Sequence, residues 1–365
     1  MKPSTLEDRR ESVHAAAVSR RRKRVVADES RRGSWAIVAD LIGLALVVLC
    51  LAWIAHTSGA PAVARSPFWL LVSCAVLLVI SRVITPIAES LVPAGLVVLA
   101  AMLVATDPSA AFDARPDGGV FDYSNANAAF FVQAAAGSVL LVGLWRSLPI
   151  RMITLGAATI FSIVPFSTGT HAGMIAVGGL VAVMAVKSNR SARFAVALAA
   201  SAFILTLSAA GILAARYDGG ASPGIIERIV DRTPLHEHRV ELWHEALGIM
   251  VEHPVTGVGP GRFAEVSALA QEDVDSRYAR NEFLQFGAEA GVIGLVLLVL
   301  LFLWGFLRLL LTPRPTRVTA IAAVALAALG MHACVDYVLH FPAIPLAAAA
   351  LVGTGIAAGH RKEPA

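Results

Sequence analysis

Uninterrupted apolar runs of roughly twenty residues recur along this chain, and that length matches the hydrocarbon thickness of a bilayer. No other feature restricts the fold as tightly, because only helices or closed barrels leave no backbone group unsatisfied in lipid. The runs are continuous rather than alternating, so helices are expected. Composition agrees: 57% of the residues are hydrophobic, 15% are charged, and the mean hydropathy is +0.70, beyond an ordinary soluble domain. The reading is an all-α, polytopic integral membrane bundle. Its ten spans are expected near 35–56, 67–85, 89–106, 126–145, 149–166, 171–187, 193–215, 283–309, 317–335 and 343–359. Those at 149–166 and 171–187 are short for a crossing.

Lysine and arginine set the expected orientation. The leader "RRESVHAAAVSRRRKR" is strongly basic, which puts the N-terminus in the cytoplasm. Alternate loops carry Arg146 and Arg151, then "KSNRSAR", "RPTR" and "HRK", whereas the opposite short loops hold Arg65 and Arg115. Both termini are thus expected on the cytoplasmic side of a multi-pass protein of the cytoplasmic (inner) membrane. The small residues of "APAVARS" suggest a cleaved signal peptide, but the preceding apolar run is longer than a typical signal core, so an uncleaved anchor is expected. The chain divides into a basic, disordered tail (1–34), a first membrane part (35–215), an extracytoplasmic loop (216–282), a second membrane part (283–359) and a short tail (360–365). Cys50, Cys74 and Cys334 fall in spans without metal or redox spacing and read as packing residues.

A loop as long as 216–280 is usually functional. Within it "HRVELWHEALGIMVEHP" reads as an amphipathic helix with Leu242, Trp243, Ala246, Leu247 and Met250 on one face. Arg239 stands four residues before Trp243, on the same side. It can either snorkel to lipid headgroups or point inward at an anionic ligand. The following "HPVTGVGPGRF" is a tight turn that either connects elements or presents N–H groups to phosphate. Polar clusters gather on the same outer side: "FDYSNANAAFF", "FSTGTHAG", "VDYVLHFPA" and "RNEFLQ".

The arginines of the loop and its edges (Arg228, Arg232, Arg239, Arg262, Arg277, Arg280) suit an anionic ligand, because guanidinium binds phosphate through paired, charge-assisted bonds. Arg280 directly precedes an outward-facing helix N-terminus, where the dipole and free N–H groups also favour an anion. Glu282, Gln285 and Glu289 share one stripe of that helix. A carboxylate there either fixes the helix through a salt bridge or faces a wet cavity, with Glu282 positioning an acceptor hydroxyl or acting as a base. His171, His236, His238, His244, His253 and His340 lie outside or at the outer boundary and keep acid–base chemistry open. Zinc spacings, dense carboxylate clusters and nucleotide-binding motifs do not occur, so neither a metal nor another cofactor is expected, and no nucleic-acid partner.

"HRVELWHEALGIMVEHPVTGVGPGRF" followed by "ARNEFLQFGAEAGVIGL" resembles the O-antigen ligase and O-antigen polymerase superfamily. The shared pattern is an arginine before a tryptophan, a turn of the form "hPxxGvGpgxF", and an "HNxxLqxxaExGxxGl" segment opening the next helix. "FDYSNANAA" and "HACVDYVLHFPAIPLAAAALVG" resemble the family's Asn-containing segment and closing helix pair. The resemblance implies a metal-independent membrane glycosyltransferase. It would take a glycan from undecaprenyl diphosphate and pass it to a glycan or lipid acceptor, with membrane lipid as a further partner. It also implies that Arg239 faces inward and clamps the diphosphate, as the first of the catalytic candidates Arg239, Arg280, Glu282, His171 and His238. Asn125, Asn127, Trp243, Arg262, Asn281, Glu289 and Asp336 are the substrate-binding candidates. Two positions depart from the family: Arg280 stands where the "HN" histidine is expected, and His171 where many members carry arginine. Two other classes stay open, a transporter of a small anion or saccharide and a non-catalytic binder of lipid-linked glycan.

Overall fold

The computed structural model describes residues 34–59, 66–115, 117–217, 234–272, 276–313 and 316–358. The basic leader, Arg65, Arg228, Arg232, the side chain of His236, Arg314 and Pro315 of "RPTR", and the C-terminal tail lie outside the described residues. Among the described residues the chain is helical and contains no strand. Its main helices are α1 (Ser34–Thr57), α2 (Ser66–Ile84), α3 (Leu91–Thr106), α4 (Ser124–Leu144), α5 (Leu148–Ser167), α6 (His171–Val183), α7 (Asn189–Ala215), α8 (Pro234–Glu252), α9 (Glu282–Leu310), α10 (Arg317–Ala333) and α11 (Ala343–Ala358).

Every expected span coincides with a helix, and six are long and apolar enough to cross a bilayer: α1, α2, α4, α5, α7 and α9. The run at 149–166 becomes a full helix of 20 residues, whereas that at 171–187 stops after 13. There the backbone tightens, with Met184, Ala185 and Val186 each donating to the carbonyl three residues back. Ser188 then caps α7 by accepting from the Ser191 N–H. Large apolar side chains such as Ile153, Val181 and Leu205 stand exposed along these helices. Such surfaces suit hydrocarbon rather than water, and the protein is an all-α membrane protein.

Helix α4 is the buried axis of the bundle. Its sequence SNANAAFFVQAAAGSVLLVGL is rich in alanine, and small residues let neighbouring helices approach closely. Helices α3, α5, α6, α10 and α11 pack around it. Helix α8 lies outside this core against the end of α7 and the first turns of α9. It buries Leu242, Trp243, Ala246 and Ile249 with Ala210, Ala214, Phe263, Leu284 and Ala288. The amphipathic helix expected in the loop therefore forms, and its apolar face is covered by protein.

Helix α9 is broken at Gly291, where φ is 72°. A Cβ at this position would stand 2.0 Å from the Val255 carbonyl oxygen, so glycine is required on two counts. The "HPVTGVGPGRF" turn fills the break. Val258 N–H donates to Ala288 O (3.0 Å), Gly259 N–H to Glu289 O (2.8 Å), and Val292 N–H to Pro254 O (2.8 Å). The Trp53 indole of α1 donates to Ala290 O (2.8 Å). Farther along the bundle, Asp40 of α1 accepts from Arg82 of α2 (2.8 Å) and Arg308 of α9 (2.6 Å), tying the three helices together.

Candidate functional site

The site is assembled where the N-terminal ends of α4, α6 and α9 meet the link between α10 and α11. Its centre is Asp336, whose side chain is 1% exposed. One carboxylate oxygen, Oδ2, accepts from the Tyr123 hydroxyl (2.5 Å) and from Asn125 Nδ2, and lies 3.4 Å from the Arg239 guanidinium. The other accepts from the Tyr337 N–H (2.9 Å). Arg280 reaches the same group indirectly, its Nη1 donating to the Tyr123 hydroxyl (3.1 Å). Its guanidinium also lies over the rings of Tyr123 and Tyr337, at 6.0 and 5.8 Å. Thr170, which precedes α6, donates to Asn125 Oδ1 (3.3 Å).

Local backbone chemistry explains how these side chains arrive. Arg280 adopts φ 51°, a left-handed conformation that disfavours any side chain and is often found at functional sites. Its carbonyl accepts from the Trp243 indole (3.0 Å), so α8 holds the turn that presents Arg280. Asn281 then caps α9, accepting from Phe283 and Leu284 N–H groups (both 3.1 Å), while its amide donates to Cys334 O (2.7 Å). Burial pushes the Tyr123 phenol well above its usual range and that of Tyr337 up to about 12. Both stay protonated and able to donate.

The structure thus brings together Arg239, Arg280, Asn125 and Asp336. Other sequence candidates stand elsewhere or are already engaged. Asn127 fastens the preceding loop through Ala111 O (2.8 Å) and the Val120 N–H (3.3 Å). Trp243 and Asn281 support Arg280 and the helix start, and neither offers a free polar group to a ligand. Arg262 bonds Glu265 (2.7 Å) and Val258 O (3.2 Å) at an exposed corner. His238 bonds Ser276 (2.5 Å) and joins two parts of the loop. His171 stands exposed beside Thr170.

Three readings that the sequence left open take a structural form. Glu289 borders a cavity beside Glu282, but its carboxylate is engaged by the Gly261 N–H (2.7 Å), the Phe263 N–H (3.3 Å) and Gln285 (3.2 Å), so it staples the turn to the helix. The glycine turn is a connector: the N–H groups of Val258, Gly259, Gly261 and Phe263 are spent on the broken helix. At the start of α9 the Asn281 side chain and carbonyl likewise take the N–H groups of Phe283, Leu284 and Gln285, which an anion would otherwise meet. Glu282 sits at the boundary, with Oε1 accepting from the Leu339 N–H (2.7 Å) and facing His340 Nδ1 (3.1 Å). Sequence reasoning missed Tyr123, Thr170 and Tyr337. Each lies inside one of the polar segments, within two residues of a candidate: Tyr123 near Asn125, Thr170 beside His171 and Tyr337 beside Asp336. Among the described residues, no group of three or more His, Cys, Asp or Glu side chains is arranged to hold a metal ion.

Residues 155–299 match the family model described as O-antigen ligase, from within α5 to the middle of α9. The match supports the O-antigen ligase and polymerase superfamily, whose members are membrane glycosyltransferases acting on lipid-linked glycans and acceptors. It contains Arg239 and Arg280, whereas Tyr123, Asn125 and Asp336, which hold them, lie beyond it. No curated protein matches the chain.

Proposed function

We propose that this protein transfers a glycan from an undecaprenyl diphosphate carrier to an acceptor hydroxyl, as a ligase or polymerase of surface polysaccharide. The reaction takes place at the outer face of the cytoplasmic membrane and needs no metal. The observation that carries this reading is the convergence of Arg239 and Arg280, from two separate elements, on the Asp336–Tyr123 pair. Arg239 stands at the rim, 24% exposed, so its guanidinium reaches the surface while its edge is held by Asp336. A diphosphate can accept paired, charge-assisted bonds from such a guanidinium.

Catalysis at such a site is electrostatic. As the bond between the sugar and the diphosphate breaks, negative charge grows on the leaving oxygen. Fixed donors aimed at that oxygen lower the barrier more than they stabilise the bound donor. Asn125 and Tyr123 hold Asp336, and Asp336 holds Arg239, so the guanidinium is set before the substrate arrives. Arginine at position 280 supports anion binding there rather than base catalysis, because guanidinium does not give up its proton.

The broken helix α9 raises the transporter alternative, since transporters place substrates at interrupted helices. Here the carbonyls freed at the break are taken by Val258, Gly259 and Trp53. That favours a structural break over an ion site. The test is an Arg239→Ala variant in a strain deleted for the gene. Lipid-linked saccharide should accumulate, surface polymer should be lost, and the variant should still insert in the membrane. Full activity of this variant would remove the clamp assignment, and solute uptake without glycan transfer would favour the transporter.

A further inference from the structure

The "HN" segment lacks its histidine, yet this end of the bundle holds another one already paired with a carboxylate. We infer that His340 is the catalytic base that takes the proton of the acceptor hydroxyl, with Glu282 as its positioning residue. This rests on the glycosyl-transfer reading above. His340 ends a short 3-10 turn, Val338–His340, between α10 and α11, and Glu282 is the first residue of α9. Glu282 Oε1 lies 3.1 Å from His340 Nδ1 and is itself fixed by the Leu339 N–H at 2.7 Å. A carboxylate facing Nδ1 places the proton there and leaves the lone pair on Nε2, the arrangement by which buried carboxylates orient histidine bases.

Access and distance fit the role. The His340 side chain is 34% exposed and its ring packs on Tyr278 at 4.4 Å. His340 and Glu282 line a cavity of about 300 Å³, with Gln285 and Glu289 at the same polar end and largely apolar walls elsewhere. One tyrosine ring separates the base from the clamp: Tyr337 lies 6.1 Å from the His340 ring and 5.8 Å from the Arg280 guanidinium. Two other histidines are already committed. His332 is sealed in the bundle, and His244 is bonded to Ala214 O (2.9 Å).

The step balances without a further reactant. The acceptor O–H gives its proton to Nε2 while its oxygen bonds to the anomeric carbon. The bond from that carbon to the diphosphate breaks, and its electron pair stays on the phosphate oxygen facing Arg239 and Arg280. His340 then releases the proton to solvent. Burial opposes charge on this ring, but the Glu282 carboxylate outweighs it, with a smaller contribution from Glu289, and holds the pKa above the ordinary histidine value. The groups facing it are Glu282 and Glu289 from α9, Tyr278 from the preceding loop and Tyr337 of its own turn. Transfer should therefore rise with pH through that raised value.

The experiment uses the full chain in proteoliposomes, with lipid-linked saccharide extracted from the deletion strain as donor, and farnesyl diphosphate as a separate binding probe. His340→Gln should lower kcat by about 10²-fold or more, abolish the rising limb of the pH profile, and leave farnesyl diphosphate affinity unchanged. Glu282→Gln should keep the contact but move the limb to lower pH, a shift that a merely structural role would not produce. Wild-type kcat and an intact limb in His340→Gln would overturn the inference. If that variant does not fold, an unmoved limb in Glu282→Gln overturns it instead. Arg239→Ala separates the two readings: unchanged farnesyl diphosphate binding there sinks the clamp, whatever the histidine variants show.

Discussion

Two clusters at opposite ends of α9 carry the same charges, one aspartate against two arginines. Toward its C-terminal end Asp40 bonds Arg82 and Arg308 directly, and the Arg308 side chain is fully buried. Its terminal nitrogens find no hydrogen-bond partner among the described residues, so Asp40 is its main compensation. Toward the N-terminal end Asp336 is the buried member, while Arg239 and Arg280 stand at the rim and Arg280 is held through a tyrosine hydroxyl. Charge composition alone does not distinguish structure from function. Which partner is sealed decides: a buried arginine is a strut, whereas an arginine held at its edge by a buried aspartate keeps a face for a ligand.

Changes at each end should separate these roles. The largest loss of stability is expected for Asp40→Asn, which leaves Arg308 buried without its counter-charge and should cost about 3–5 kcal/mol. Melting in detergent should fall sharply, while transfer per folded molecule stays at the wild-type level. Loss of transfer instead would erase the contrast between the ends. At the other end, Arg280→Gly relieves the left-handed backbone and removes the whole side chain, its guanidinium included. Transfer should drop about 10²–10³-fold with melting unchanged or raised, as checked by a rate assay beside a melting curve. Gly291→Ala sits between the two clusters and should cost about 1–3 kcal/mol from backbone strain alone. Limited proteolysis should then cut the 254–263 turn faster, since its docking depends on the break.

The smallest effect concerns pH. The His340 pKa is raised in the fold, so its pairing with Glu282 contributes fully below about 6.5, the ordinary histidine value. That contribution is lost as pH rises through the folded value. Melting temperature should drift slightly downward as pH rises above about 6.5, opposite to the rise expected for transfer. His340→Gln should melt without that drift.

Much of the bundle was legible in the sequence, because membrane-length apolar runs leave the backbone few alternatives to helix. The break at Gly291 was not, since the alternation of "GAEAGVIGL" reads as one continuous helix and the reason for the break lies in Val255 of another segment. The glycine turn was legible as a turn but not as a plug. Its N–H groups could equally have served a phosphate until the carbonyls of Ala288 and Glu289 were seen beneath them.

The candidate site divides in the same way. Arg239, Asn125, Asp336 and Arg280 were visible as polar residues near helix ends, since such residues are costly in lipid and stand out against it. Asn127, Arg262 and Glu289 were visible for the same reason, and sequence could not separate them from the others. By itself the sequence determined an all-α membrane protein with polar groups gathered at helix ends, because hydrophobic thickness and residue type act locally. Only the tertiary structure decided which of those groups share one aspartate and which merely staple a loop. Residues 123, 239, 280 and 336 are far apart in the chain, and hydrogen-bond partners are chosen by proximity in space.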